Sequence, residues 1–298
     1  MLRWFLFFSR WPLWALHALG SLGGWAAWLF SGRYRRRFLD NARQAGLGRR
    51  AVMGAVGQAG RMSAELPRLW LGRTPPLLWA DDRAAAQAYA QGQGVLFLTP
   101  HMGCFEITAQ ALALRFGQQH GQLTVLYRPA RQVALNEVMA LARNRPGLRA
   151  VPTTLAGVRQ MIKALRAGEA VGLLPDQVPP EGMGAWAPFF GRPAYTMTMA
   201  AKLVAQTGCA VVLLRGERLG WRARRAQGCS YVVHASRVAP QTEALLAAGD
   251  AAESAAAINR LMEDLIMQAP EQYLWGYNRY KGPRAEILTS ASKSEEAA

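Results

Sequence analysis

The chain has 298 residues, 51% of them apolar and 18% charged, which allows one large α/β domain or two small ones around a sizeable core. Its 35 Lys and Arg against 19 Asp and Glu give a net charge of +16, a field that favours anionic partners without choosing among nucleic acid, anionic lipid and an acidic carrier protein. Three scattered cysteines (Cys104, Cys209, Cys229) and four unclustered histidines exclude a zinc pattern and fit a reduced, cytosolic setting.

Residues 11–30, WPLWALHALGSLGGWAAWLF, carry no formal charge over about the length that crosses a hydrocarbon core. Arg33, Arg35, Arg36 and Arg37 follow, and a basic cluster beside an apolar span marks the cytoplasmic side. The leading expectation is a spanning helix, with a helix lying in the interface as its chief rival, because Arg10 and His17 interrupt the segment and its tryptophans suit the headgroup zone. Residues 33–71 read as helical, broken by glycines and ending near Pro67, and 81–91 as a short Ala-rich helix capped by Asp81 or Asp82. Strands are expected at 95–99, 123–127, 149–152, 170–175, 210–217 and 231–238, with helices at about 104–115, 132–143, 154–167, 196–207 and 251–268. This alternation predicts an α/β fold with a mixed, mostly parallel sheet covered by helices, its last two strands antiparallel. The expected organisation is an anchor at 1–32, one domain over 33–284 and a disordered tail at 285–298.

In open α/β sheets ligands bind beyond the carboxyl ends of the strands, so the residues that follow each strand are the candidates. Pro100-His101 follows the first of these strands, with Glu106 five residues on; Arg128 follows the second; Asp176-Gln177 follows the fourth. An unperturbed imidazole titrates near pH ~6.5, which suits His101 to general-base work. Glu106, in the first turn of the next helix, is placed to reach back, fix the tautomer and stabilise the imidazolium. Arg128 suits a phosphate or carboxylate. The segment WAPFFGRP (186–193), with Arg192, reads as a rigid apolar loop lining an acyl or carrier site. Cys104 beside His101 admits a thiol nucleophile, but a small buried thiol is the plainer reading.

HMGCFE (101–106) has the form His, four residues, acid, and resembles the signature of the glycerolipid acyltransferase superfamily. With YRP (127–129), PDQ (175–177), PFFGRPA (188–194) and PEQYLWGYNRYK (270–281) in order, the chain resembles the branch of late lipid A biosynthesis acyltransferases, lauroyl and myristoyl transferases. The resemblance covers about 4–281. It implies transfer of a fatty acyl group from acyl carrier protein to a hydroxyl of a lipid A precursor on the inner face of the cell inner membrane. It also implies no metal or organic cofactor and no nucleic acid. His101 matches the family's base and Glu106 its partner; Arg128, Asp176, Gln177 and Arg192 fall in its other blocks and are expected to bind substrate. Three departures concern the acceptor: ARQVALNEV follows YRP, VPPEGMG follows PDQ, and the last block reads YNRYK. They leave open another membrane glycolipid, a lysophospholipid or an amino-acid lipid. The rivals are a membrane-tethered module that binds anionic ligands without catalysis and a thiol hydrolase at Cys104.

Overall fold

The computed structural model describes residues 2–127, 138 and 145–283. Five helices come first: α1 (Leu2–Ser9), α2 (Leu13–Phe30), α3 (Gly32–Gln44), α4 (Arg49–Ala64) and α5 (Leu66–Leu71). Pro67 stands in the first turn of α5, where its missing N–H costs nothing, so it opens a helix instead of ending one. Strand β1 (Leu77–Asp81) and helix α6 (Arg83–Ala90) lead into the central unit: β2 (Val95–Leu98), α7 (Phe105–His120), β3 (Leu123–Tyr127), β4 (Leu148–Pro152), α8 (Leu155–Arg166) and β5 (Ala170–Leu173). A two-stranded hairpin, β6 (Gly184–Phe189) and β7 (Arg192–Met197), stands apart from the main sheet. Then come α9 (Met199–Thr207), β8 (Ala210–Arg218), α10 (Trp221–Gln227), β9 (Tyr231–Arg237), α11 (Pro240–Ala248) and α12 (Ala251–Gln268).

The main sheet has the order β1-β9-β8-β2-β5-β3-β4. Every pair is parallel except β8–β9, which is antiparallel. Successive strand residues face opposite sides, so one strand supplies two cores. Leu96 and Leu98 of β2 join Val171, Leu173, Val211 and Leu213 under α3, α4, α8, α9 and α12. Val95 and Phe97 join Val212, Leu214 and Val233 under α5, α6 and α7. Both faces being covered, the central strands read as near-continuous apolar runs.

Helix α2 is packed into this body. Leu13, Leu16, His17, Gly20 and Gly24 form one buried stripe at helical spacing. Gly20 and Gly24 lie backbone to backbone against Gly60 of α4, where an added Cβ at Gly60 would run into the Gly20 carbonyl. Among the described residues, no helix is long and apolar enough to cross a membrane. The expected spanning helix at 11–30 is not confirmed: α2 covers 13–30 and spends one face on α4. Its other face remains apolar in solvent, with Trp14, Leu19, Leu22, Leu29 and Phe30 exposed and Trp4 and Phe7 of α1 beside them in sequence. Apart from the buried Val138, the expected helix at about 132–143 lies outside the described residues, as does the tail at 285–298.

Candidate active site

The sheet register builds the centre of the site. In the parallel pair β2–β5, Leu98 lies beside Leu173, and Thr99 N–H donates to the Leu173 carbonyl at 3.2 Å. Three residues past each of these partners stand His101 and Asp176, which the shared register delivers to the same point above the sheet. Asp176 Oδ1 lies 2.7 Å from His101 Nδ1, and Oδ2 accepts the His101 backbone N–H at 3.0 Å. Burial alone would raise the Asp176 pKa; the facing imidazole, its hydrogen bonds and then Arg279 outweigh it and hold the carboxyl below the usual range. An ionised carboxylate only accepts, so Nδ1 is the donor, and in the neutral ring this tautomer puts the free lone pair on Nε2. Asp176 is 2% exposed and the His101 side chain 20%: the acid is sealed behind the ring and the ring opens outward.

His101 opens into a cavity of about 360 Å³ between the sheet and α7. Its walls are Phe97, Leu123, Val125, Leu148, Ala150 and Leu214 from the strands and Phe105, Ala109 and Leu112 from α7. Polar groups gather on the α5–α7 side: Thr108, Gln110, Glu106 and Arg145. Arg145 ties the 70–74 segment to α7 by donating to the Gly72 carbonyl at 2.8 Å and to Gln110 Oε1 at 3.3 Å. Desolvation lowers its pKa, and the Glu106 charge opposes that.

The loop that carries the imidazole is clamped from below. Gly103 has a φ of 53°, and a Cβ there would collide with the Gly216 carbonyl, so HMGCFE requires its glycine. Gly103 N–H donates to the Gln272 carbonyl and Cys104 N–H to that of Gly216. Arg218, fully buried at the end of β8, donates to the Gly103 carbonyl at 2.7 Å while pairing with Glu65. Glu65 also accepts from Tyr231 Oη at 2.8 Å and lies 2.8 Å from His17 Nε2. Burial would raise the Glu65 pKa, but Arg218 and His17 pull it down to about 2. Burial lowers that of His17, which therefore donates as a neutral imidazole. One buried cluster thus joins α2, α4, β8 and β9 to the loop of His101.

The structure brings His101, Asp176 and Glu106 into one region. The tautomer-fixing position at Nδ1, expected for Glu106, belongs to Asp176, because parallel register pairs the two strand ends while Glu106 starts a new helix and turns to the cavity wall. Gln177 is half-buried in the next turn. Arg192 does not line the cavity of His101; the segment 186–193 is most of a hairpin on another face, and Arg192 stacks on Tyr280 at 4.6 Å. Arg128 lies outside the described residues. Cys104 is 1% exposed and burial pushes its thiol pKa far up, which removes the thiol nucleophile. Sequence reasoning missed Arg145 and Arg218, yet gave one usable signal for Asp176: LTPH (98–101) and LLPD (173–176) end their strands with the same spacing. Among the described residues, no cluster of three or more His, Cys, Asp or Glu is placed to hold a metal ion.

A buried carboxylate–histidine pair at the head of an apolar cavity is equipment for acid–base chemistry beside an apolar group. The sequence profile of the bacterial lipid A biosynthesis acyltransferases matches residues 77–282, and the chain belongs to that family. It is 26% identical over 197 residues to the lipid A biosynthesis palmitoleoyltransferase of Escherichia coli K12 (65% of this chain, 58% of that protein). It is 28% identical over 193 residues to the lauroyltransferase of the same organism (64% and 58%). A lipid A biosynthesis acyltransferase of Haemophilus influenzae is 25% identical over 189 residues (63% and 54%). The matched chain spans less than two thirds of the length of each of these relatives.

Proposed function

We propose that the chain transfers a fatty acyl group from acyl carrier protein to a hydroxyl of a lipid A precursor, on the cytoplasmic face of the inner membrane. His101 Nε2 removes the hydroxyl proton as the oxygen attacks the thioester carbonyl. The C–O bond forms, the C–S bond breaks, and the departing thiolate takes the proton back from the imidazolium. Asp176 fixes the tautomer and, with Glu106 on the cavity side, stabilises the imidazolium. Base catalysis of this kind is worth about 10²–10⁴-fold, and an already activated thioester needs no protein nucleophile. Arg128, Gln177 and Arg192 are kept as substrate-binding residues. The membrane is met through the exposed apolar face of α1 and α2, lying in the interface with the basic run of α3 at the headgroups.

The observation that carries this reading is the His101–Asp176 pair at 2.7 Å opening into an apolar cavity. The family membership supports the acceptor class. The test is incubation of the purified chain with an acyl-carrier-protein thioester and a lipid A precursor, read by mass spectrometry. The expected product is heavier by one acyl group; an unchanged acceptor with hydrolysed thioester would overturn the transfer.

A further inference from the structure

A second cavity, of about 440 Å³, is lined by Arg33, Arg36, Arg37 and Arg192 together with Asp40 and Asn278. Three elements build it. Arg33, Arg36 and Arg37 lie three and four residues apart on α3, one face of the helix. Arg192 comes from the β6–β7 hairpin, whose turn is held by Gln44 donating to the Phe190 carbonyl at 2.6 Å and by the Phe190 N–H donating to Glu263 at 2.7 Å. Tyr280 underlies the Arg192 guanidinium and is itself fixed by donating to the Phe189 carbonyl at 2.9 Å. Among the described residues, none of these four arginines has a carboxylate partner. Asp40, the one acid in the lining, lies 3.9 Å from Arg43 instead. Four like charges around one concavity repel, and the first turn of α3 holds no acid to offset them. An anion with several acceptor oxygens relieves that repulsion and matches the guanidinium fork. Leu29 and Phe30, 54% and 89% exposed, end α2 four and three residues before Arg33 in sequence.

We infer that this cavity binds the phosphate group of a lipid headgroup, with the acyl chains laid along the exposed face of α2. The inference rests on the reading that the chain works at a lipid surface, but its test needs no acyl donor. Dodecyl phosphate, dodecanol and inorganic phosphate are titrated separately into the full chain in neutral detergent. Dodecyl phosphate is expected to bind at least tenfold tighter than either of the others, and less tightly as salt rises. R33Q/R37Q, and independently R192Q, should bring its affinity to within about threefold of that of dodecanol, with melting temperatures unchanged. Equal binding of dodecyl phosphate and dodecanol by the unsubstituted chain, or variants that bind like it, would overturn the site. Inorganic phosphate binding as tightly as dodecyl phosphate would overturn the lipid source. A chain that shows this preference yet transfers no acyl group would sink the enzymatic reading and leave the site standing.

Discussion

Asp176→Asn separates the charge of the buried acid from its shape. The amide oxygen can still accept the His101 backbone N–H, now 3.0 Å from Oδ2. The amide nitrogen then faces Nδ1, now 2.7 Å from Oδ1, and donates where the carboxylate accepted. A donor at that point selects the tautomer protonated on Nε2, which has no lone pair to offer the acceptor hydroxyl. The imidazolium that forms during transfer also loses its countercharge. An aspartate-to-asparagine change in a comparable triad lowers kcat about 10⁴-fold, and the same two losses here predict about 10³–10⁴-fold, or about 4–5.5 kcal/mol of barrier. Folding should suffer less, about 1–3 kcal/mol, because Arg279 keeps its bonds to the Tyr195 carbonyl, Thr196 and Asn259. The assay is initial-rate acyl transfer at saturating donor, with a thermal melt of each sample. A folded Asp176→Asn enzyme within threefold of the wild-type kcat would refute the pairing as a catalytic device.

Glu65→Gln leaves the buried Arg218 guanidinium without its countercharge and should cost about 3–5 kcal/mol, seen in denaturant unfolding as a lower midpoint with an unchanged slope. Loss of less than 1 kcal/mol would show that the cluster below His101 is slack. Stability should fall in acid: the folded chain holds Glu65 down to about 2 and keeps His17 neutral, so unfolding takes up protons at both groups. The loss begins as pH drops through the ordinary histidine range and grows from about pH 5 towards 2, reaching on the order of 3 kcal/mol for Glu65. Unfolding curves at pH 7, 5 and 3 check this, and a flat profile would contradict it. Gly172 lies on the floor of the His101 cavity, where an added Cβ already reaches within 3.4 Å of Val125. Gly172→Leu should therefore shift the kcat/KM ratio of long to short acyl donors at least tenfold towards the short; an unchanged ratio would place the acyl chain elsewhere.

The parallel core was readable because strands covered on both faces become apolar runs: LTVLY at 123–127 and AVVLLRGE at 210–217 announce β3 and β8 nearly to the residue. Strand β1 escaped notice because LLWAD is short and only half-buried at the sheet edge. The hairpin β6–β7 read as a loop because Pro188 and Pro193, which pair with each other, are poor strand residues away from an edge. His101 was legible as an imidazole at a strand end. Asp176 was legible only as a polar residue at another strand end; 75 residues separate the two, and the β2–β5 register pairs them. The same limit hid the cluster of His17, Glu65, Arg218 and Tyr231, whose members look unrelated along the chain. Apolar length suggested a spanning helix at 11–30, whereas the stripe from Leu13 to Gly24 was the sign that one face is spent on α4.

Acyl transfer by this chain requires the imidazole at the cavity mouth to take the hydroxyl proton. The most direct measurement is the single-turnover rate of acyl transfer by purified His101→Ala, compared with the wild-type enzyme at matched folding. A fall of at least 10³-fold with an unchanged melting temperature is the predicted result. A folded His101→Ala enzyme that transfers acyl groups within tenfold of the wild-type rate would contradict it.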